Sequence, residues 1–94
     1  MATSTISKHI VDIIRVDGPE SNKKSLSNAT SADFADVMVP ATIPDGYKAF
    51  LVYYESIGHG RCLPTNFGST WIANFSGSPQ QISIRQHVVC VKFG

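Results

Sequence analysis

The sequence predicts an all-β fold: a small antiparallel β-sandwich of jelly-roll type, with about five to seven strands and no firm helix. Three observations carry this. Runs rich in β-branched and aromatic residues alternate in period two. Clusters of Gly, Pro, Ser, Asn and Asp separate them at short intervals. No stretch sustains a 3.6-residue apolar period over a helix's length. With 94 residues the chain is the size of one domain, 1–94, and a domain this small buries a limited share of its surface. Charged residues are 16% of the chain against an ordinary quarter, so part of the surface is expected to face another copy or a partner.

Residues 1–8 are small and polar and are expected to fray. His9 to Val16 is β-branched and favours a strand, with Ile10, Asp12, Ile14 and Val16 on one face and Val11 and Ile13 on the other. A helix is the alternative there, since Ile10, Ile13 and Ile14 also fit its period. Asp17-Gly18-Pro19 stops either one. Residues 17–33 read as a long polar loop or a short exposed hairpin around Lys23 to Ser27, with the Lys23-Lys24 pair in solvent. Phe34 to Val39 reads as a strand ended by Pro40. An extended stretch then leads to the turn Pro44-Asp45-Gly46.

Tyr47 to Glu55 is the strongest strand. Ala49, Leu51 and Tyr53 alternate with Phe50, Val52 and Tyr54, so both faces are apolar and both are expected to be covered. Arg61-Cys62-Leu63 reads as a short strand after the Gly58-His59-Gly60 turn. Thr70 to Phe75 is a strand with Trp71, Ala73 and Phe75 on one face, followed by a hairpin connection at Ser76-Gly77-Ser78-Pro79. Gln81 to Phe93 is the last strand, with looser alternation near Gln86-His87 that suggests a β-bulge. From Val88 onward it is apolar on both sides except at Lys92. Phe50 and Val52, with Val89, Val91 and Phe93, are the candidates for an interface between copies.

A formal net charge of +1 with one basic pair gives no footprint for nucleic acid. No apolar run approaches the roughly 18 residues of a membrane-spanning helix, so no membrane insertion is expected. Met1-Ala2-Thr3-Ser4-Thr5 lacks a signal peptide's basic start and apolar core. The expectation is a cytoplasmic chain, a part of a larger assembly, or a fragment.

The chemistry-bearing residues do not assemble a reaction centre. Cys62 and Cys90 lack a second ligand pair for zinc; two reduced thiols are preferred over a disulfide. His59 and Cys62 are the one candidate nucleophile pair, but His59 lies between two glycines that fix no orientation. The acids match no calcium loop, no phosphate cradle is present, and neither a metal nor a cofactor is expected. Recognition remains. Trp71, Tyr53 and Tyr54 supply aromatic surface, and His59, Arg61, Asn66 and Asn74 supply polar groups close by in sequence. Trp71 is better explained by a core position, and of the adjacent Tyr53 and Tyr54 one must be core or interface. The candidate ligand-binding set is therefore His59, Arg61, Asn66, Trp71, Asn74 and Tyr54, centred on the 58–66 loop.

The order of Ile43-Pro44-Asp45-Gly46-Tyr47-Lys48, the strand Ala49 to Tyr54, a Gly-rich turn, a Trp/Asn strand and the closing Val88-Val89-Cys90-Val91-Lys92-Phe93 resembles the C-terminal tip domains of tailed-phage and prophage tail fibres. The resemblance spans roughly residues 36–94. It implies a β-sandwich that trimerises, sits on a virion and binds a host-surface glycan or protein without catalysis. It transfers no binding residue. The rival readings are a virion assembly or decoration protein that binds no glycan, a small lectin-like carbohydrate-binding protein, and a small hydrolase or inhibitor.

Overall fold

The computed structural model describes residues 9–94. The expected frayed segment 1–8 lies outside them. Seven antiparallel strands form: β1 (Ile10–Asp17), β2 (Lys24–Leu26), β3 (Thr30–Asp33), β4 (Lys48–Ile57), β5 (Gly60–Cys62), β6 (Trp71–Asn74) and β7 (Gln80–Phe93). Among the described residues the sole helical element is a single 3-10 turn, Thr65–Phe67. The all-β, antiparallel class is as the sequence predicts, and β1 is a strand rather than a helix.

The strands make two sheets. In the first, β7 is central, with β4 along one edge and β1 then β2 along the other. The second has the order β3-β6-β5. The two meet at one end only, where Leu26, Ile82 and Ile84 of the first sheet share a core with Ile72 of the second and with Phe34. They do not form the two continuous layers of a jelly roll. Instead a two-layered head carries a single-layered blade of β1, β7 and β4. A 14-residue strand spans about 46 Å. The molecule measures 65 × 24 × 18 Å, with a radius of gyration of 17.6 Å. A compact chain of this length would have about 12 Å.

Three expectations are corrected in the head. Phe34 to Val39 is not a strand. The Asp33 carboxylate accepts from the Ala35 amide, and the Phe34 carbonyl accepts from the amides of Val37 and Met38, so a polar side chain turns the backbone where β propensity favoured extension. Phe34 is then fully buried. Residues 17–33 are not one loop: β2 pairs with β7, and β3 with β6. Lys24 is tied down rather than solvated, donating to Asp36 at 2.6 Å and to the Asp33 carbonyl above the Phe34 ring. Finally, the 76–79 connection is not a hairpin, because β6 and β7 belong to different sheets.

In the blade the register departs from simple alternation. β4 bulges at Phe50 and β1 bulges at Val11, not near Gln86-His87, where pairing is continuous. Each bulge moves the residues beyond it to the other face. Ala49 thus joins Val52 and Tyr54, on the face of Val88 and Cys90. Ile10 joins Ile13 and Leu51, on the face of Val89, Val91 and Phe93. The first of these faces is covered by the chain itself along β7, while Ala49 and Val52 of β4 stay exposed on it. The extended 39–47 segment crosses it, with the Ala41 amide on the Gln86 side chain, the Tyr47 hydroxyl on Asp12 at 2.5 Å, and Lys92 over the Tyr47 ring. Val88 and Cys90 are buried beneath it.

The second face is exposed along the edge strands β1 and β4, while Val91 and His87 of central β7 are buried on it. Ile13 is 61% exposed and Leu51 52%, with Ile10 and Phe93 exposed beside them. Toward the head this face ends in a polar cluster. His87 is buried, with Nδ1 2.5 Å from Asp17 and Nε2 2.8 Å from Glu55, and Tyr53 stacks on its ring at 5.0 Å. A neutral imidazole can donate to one of these carboxylates; the imidazolium donates to both.

Two predictions follow from this packing. Phe34→Ala should cost about 3–5 kcal/mol in urea unfolding, because it empties the centre of the only two-layered core among the described residues. The second concerns acid. The hydrogen bond from His87 holds Asp17 below the usual carboxylate range, the Thr70 hydroxyl does so for Asp33, and Lys24 for Asp36. Folded pKa values below the unfolded value of about 3.9 contribute stability that is present above that pH and lost as pH falls through the folded values. The melting temperature should therefore drop on acidification below about pH 4, and Asp33→Asn should flatten that dependence.

Candidate functional site

The second sheet has one face toward the core and one toward solvent. Its register pairs Gly60 with Asn74, Arg61 with Ala73, Cys62 with Ile72 and Asp33 with Trp71. Ile72 belongs to the core, so Arg61, Ala73 and Trp71 lie on the outer face. Extending the register by one pair sets His59 opposite Phe75 on that same face. The grouping of Trp71, Ala73 and Phe75 expected from the sequence is present on the face away from Ile72; Phe75 is 66% exposed there, Trp71 is half-buried and Ala73 is fully buried.

At the Phe75 end a cleft of about 360 Å³ is lined by His59, Arg61, Phe75 and Ser76. Two glycines shape its rim. Gly58 has φ +110°, which an L side chain rarely adopts. A Cβ on Gly60 would fall 2.5 Å from Ser56 Oγ and 2.6 Å from Ile72 Cγ2, so only glycine lets β5 lie this close to the core. Among the described residues, the Arg61 guanidinium and the His59 ring take part in no hydrogen bond or ion pair. None of the four lining residues is acidic.

Asn74 supports this site rather than lining it. It is fully buried, and its amide uses its whole capacity inside the chain. Nδ2 donates to the carbonyls of Leu26 and Ser78, both at 2.9 Å, and Oδ1 accepts from the Ser76 amide at 3.0 Å and hydroxyl at 2.7 Å. One side chain thus ties the second sheet to β2 of the first and fixes the bend that presents Phe75 and Ser76.

The other expected site residues are placed elsewhere. Tyr54 packs against the head core, and its hydroxyl accepts from Gln86 at 3.4 Å. Asn66 lies in the 3-10 turn, and Trp71 starts β6 beside Gly68, four residues and so about 13 Å along the strand from Phe75, and it does not line the cleft. Of the six candidates only His59 and Arg61 meet in one cleft. Of the interface candidates, Phe50, at the β4 bulge, is 71% exposed, Val52 and Phe93 are exposed, and Val89 is half-buried. Val91 lies on the same face as Ile13, its partner on β1, but at 3% exposed it offers no free surface.

Cys62 and Cys90 are both free thiols. Cys62 is paired with Ile72, so it lies on the opposite face of β5 from His59 and Arg61. Desolvation pushes its thiol pKa up, the reverse of what a thiolate nucleophile needs. Among the described residues no three His, Cys, Asp or Glu side chains cluster as metal ligands, and no helix is long and apolar enough to cross a membrane. No protein-family model, curated protein or solved structure matches the chain.

Sequence reasoning missed Phe75 and Ser76. The available signal was the Ser76-Gly77-Ser78-Pro79 bend directly after Phe75, which ends the strand before any neighbour can cover that ring. The two halves of the site should respond differently to truncation. Asn74→Ala removes a buried amide from four hydrogen bonds and should lower unfolding stability by about 2–4 kcal/mol. Phe75→Ala should stay within about 0.5 kcal/mol of the parent in the same urea titration.

Proposed function

We propose that the chain is a non-enzymatic binding and structural module: it associates with copies of itself through the open face of the blade, and the head presents a receptor-binding cleft. The observation that carries this reading is the single-layered blade, which leaves Ile10, Ile13, Leu51 and Phe93 exposed on one face, with Lys48 and Arg15 beside them. Several large apolar side chains exposed on one face favour an interaction site. Three copies are the favoured number, as in the tail-fibre tips the sequence resembles. Three such faces turned toward a common axis would bury one another, and the polar Asp17-His87-Glu55 cluster would mark the end of the buried stem.

The receptor in this reading is a glycan or protein on a cell surface. Its site is the His59/Arg61/Phe75/Ser76 cleft, which lies at the head, away from the apolar blade. One weak site per chain would gain strength from simultaneous engagement by several. An assembly protein that binds no receptor would use the same blade and leave the cleft idle.

Light scattering at micromolar concentration should report about three times the 10.2 kDa chain mass. Leu51→Asp, which places a charge on the open face without touching the head core, should shift that mass to the monomer and leave the β-sheet circular dichroism signal of the head. A parent chain that stays monomeric at these concentrations would overturn the reading.

A further inference from the structure

We propose that the cleft on the outer face of the second sheet takes an acidic sugar unit, a pyranose bearing a carboxylate or a phosphate, with Arg61 pairing with the anion and Phe75 packing under the ring. The inference rests on the reading of the chain as a receptor-binding module and names the chemistry of its ligand.

Four features of the cleft point there together. The Arg61 guanidinium is committed to nothing among the described residues, and its planar fork matches a carboxylate or phosphate in two parallel hydrogen bonds. His59 adds a second ring of donor capacity on the same face and is held between glycines that let it adjust. Phe75 offers a flat apolar ring that is two-thirds exposed on the wall of the cleft. A pyranose has an apolar C–H face that such a ring covers. Ser76 completes the set. Its hydroxyl hydrogen is directed to Asn74 or Ser78, so its oxygen is left as an acceptor for a sugar hydroxyl.

The combination is selective. An inorganic anion would use Arg61 and His59 and leave Phe75 in water. A neutral sugar would use Phe75 and Ser76 and leave the guanidinium without its partner. A single unit fits better than a long polymer, because about 360 Å³ is at the low end for small-ligand sites. The site is also held rigidly from below, since Asn74 fixes the bend through buried hydrogen bonds.

The test is an NMR titration of the intact chain with glucuronic acid, glucose 6-phosphate, glucose and inorganic phosphate. Chemical-shift changes at Arg61, Phe75 and Ser76 are expected with at least one acidic sugar, which separates the carboxylate from the phosphate source. Glucose and inorganic phosphate should each bind about tenfold more weakly than that acidic sugar. Arg61→Gln should erase the preference of acid over glucose, and Phe75→Ala should erase the preference of sugar over inorganic phosphate; both positions are at the surface, so both variants should fold. Equal binding of glucose and the acidic sugars, unchanged by Arg61→Gln, would overturn the anionic assignment and leave a glycan-binding module standing. Equal binding of inorganic phosphate and glucose 6-phosphate would overturn the role of Phe75. A chain that is trimeric yet shifts with none of these ligands would overturn the assignment of the cleft while sparing self-association.

Discussion

Everything in this structure depends on the central position of β7. Over its length it pairs with β4 on one side, and with β1 and then β2 on the other. Its first half supplies Ile82 and Ile84 to the head core, and its second half is the spine of the blade. One strand therefore serves two environments that differ in kind. In the head it is sandwiched beneath a second sheet. In the blade one of its faces is crossed by the 39–47 segment; on the other, no further strand of the described residues is laid, and the flanking residues of β1 and β4 stay exposed while Val91 and His87 are buried. Because β1 lies near the beginning of the chain and its partner at the end, the blade closes only after long-range pairing, which is slow and leaves strand edges exposed meanwhile.

Much of the fold was legible in residue type and period. The β-branched run of β1, the two-sided apolar β4 and the long closing strand all followed from it. What escaped was governed by side-chain hydrogen bonds and by register. Asp33 bends the chain at Phe34 through the Ala35 amide, and no propensity scale registers a carboxylate that captures its own backbone. The bulges at Val11 and Phe50 reverse the faces of Ile10 and Ala49, because period two holds only while every residue has an opposite number. The buried polar cluster around His87 was invisible for a related reason. Its partners Asp17 and Glu55 come from two other strands, far away in sequence.

The site was half legible. His59 and Arg61 stand together because alternation along β5 carries both to the outer face. The same alternation correctly grouped Trp71, Ala73 and Phe75, but whether that face looks in or out depends on what lies across it, and Ile72 takes the inward place. Asn74 has the residue type of a ligand contact and the position of a structural tie. Its partners Leu26 and Ser78 decide the matter, and they are set by tertiary structure alone. In effect, the polar residue that the sequence recommends for binding is the one that holds the walls of the cleft in place.

The proposed assembly rests on the blade's exposed face being hidden by copies of the chain. Hydrogen–deuterium exchange of the intact chain, followed peptide by peptide across a dilution series, tests this most directly. The account predicts that protection over residues 10–17 and 48–53 falls on dilution while protection over β6 stays constant. Protection in those segments that matches β6 and does not change with concentration would contradict it, since the single layer would then be stable alone.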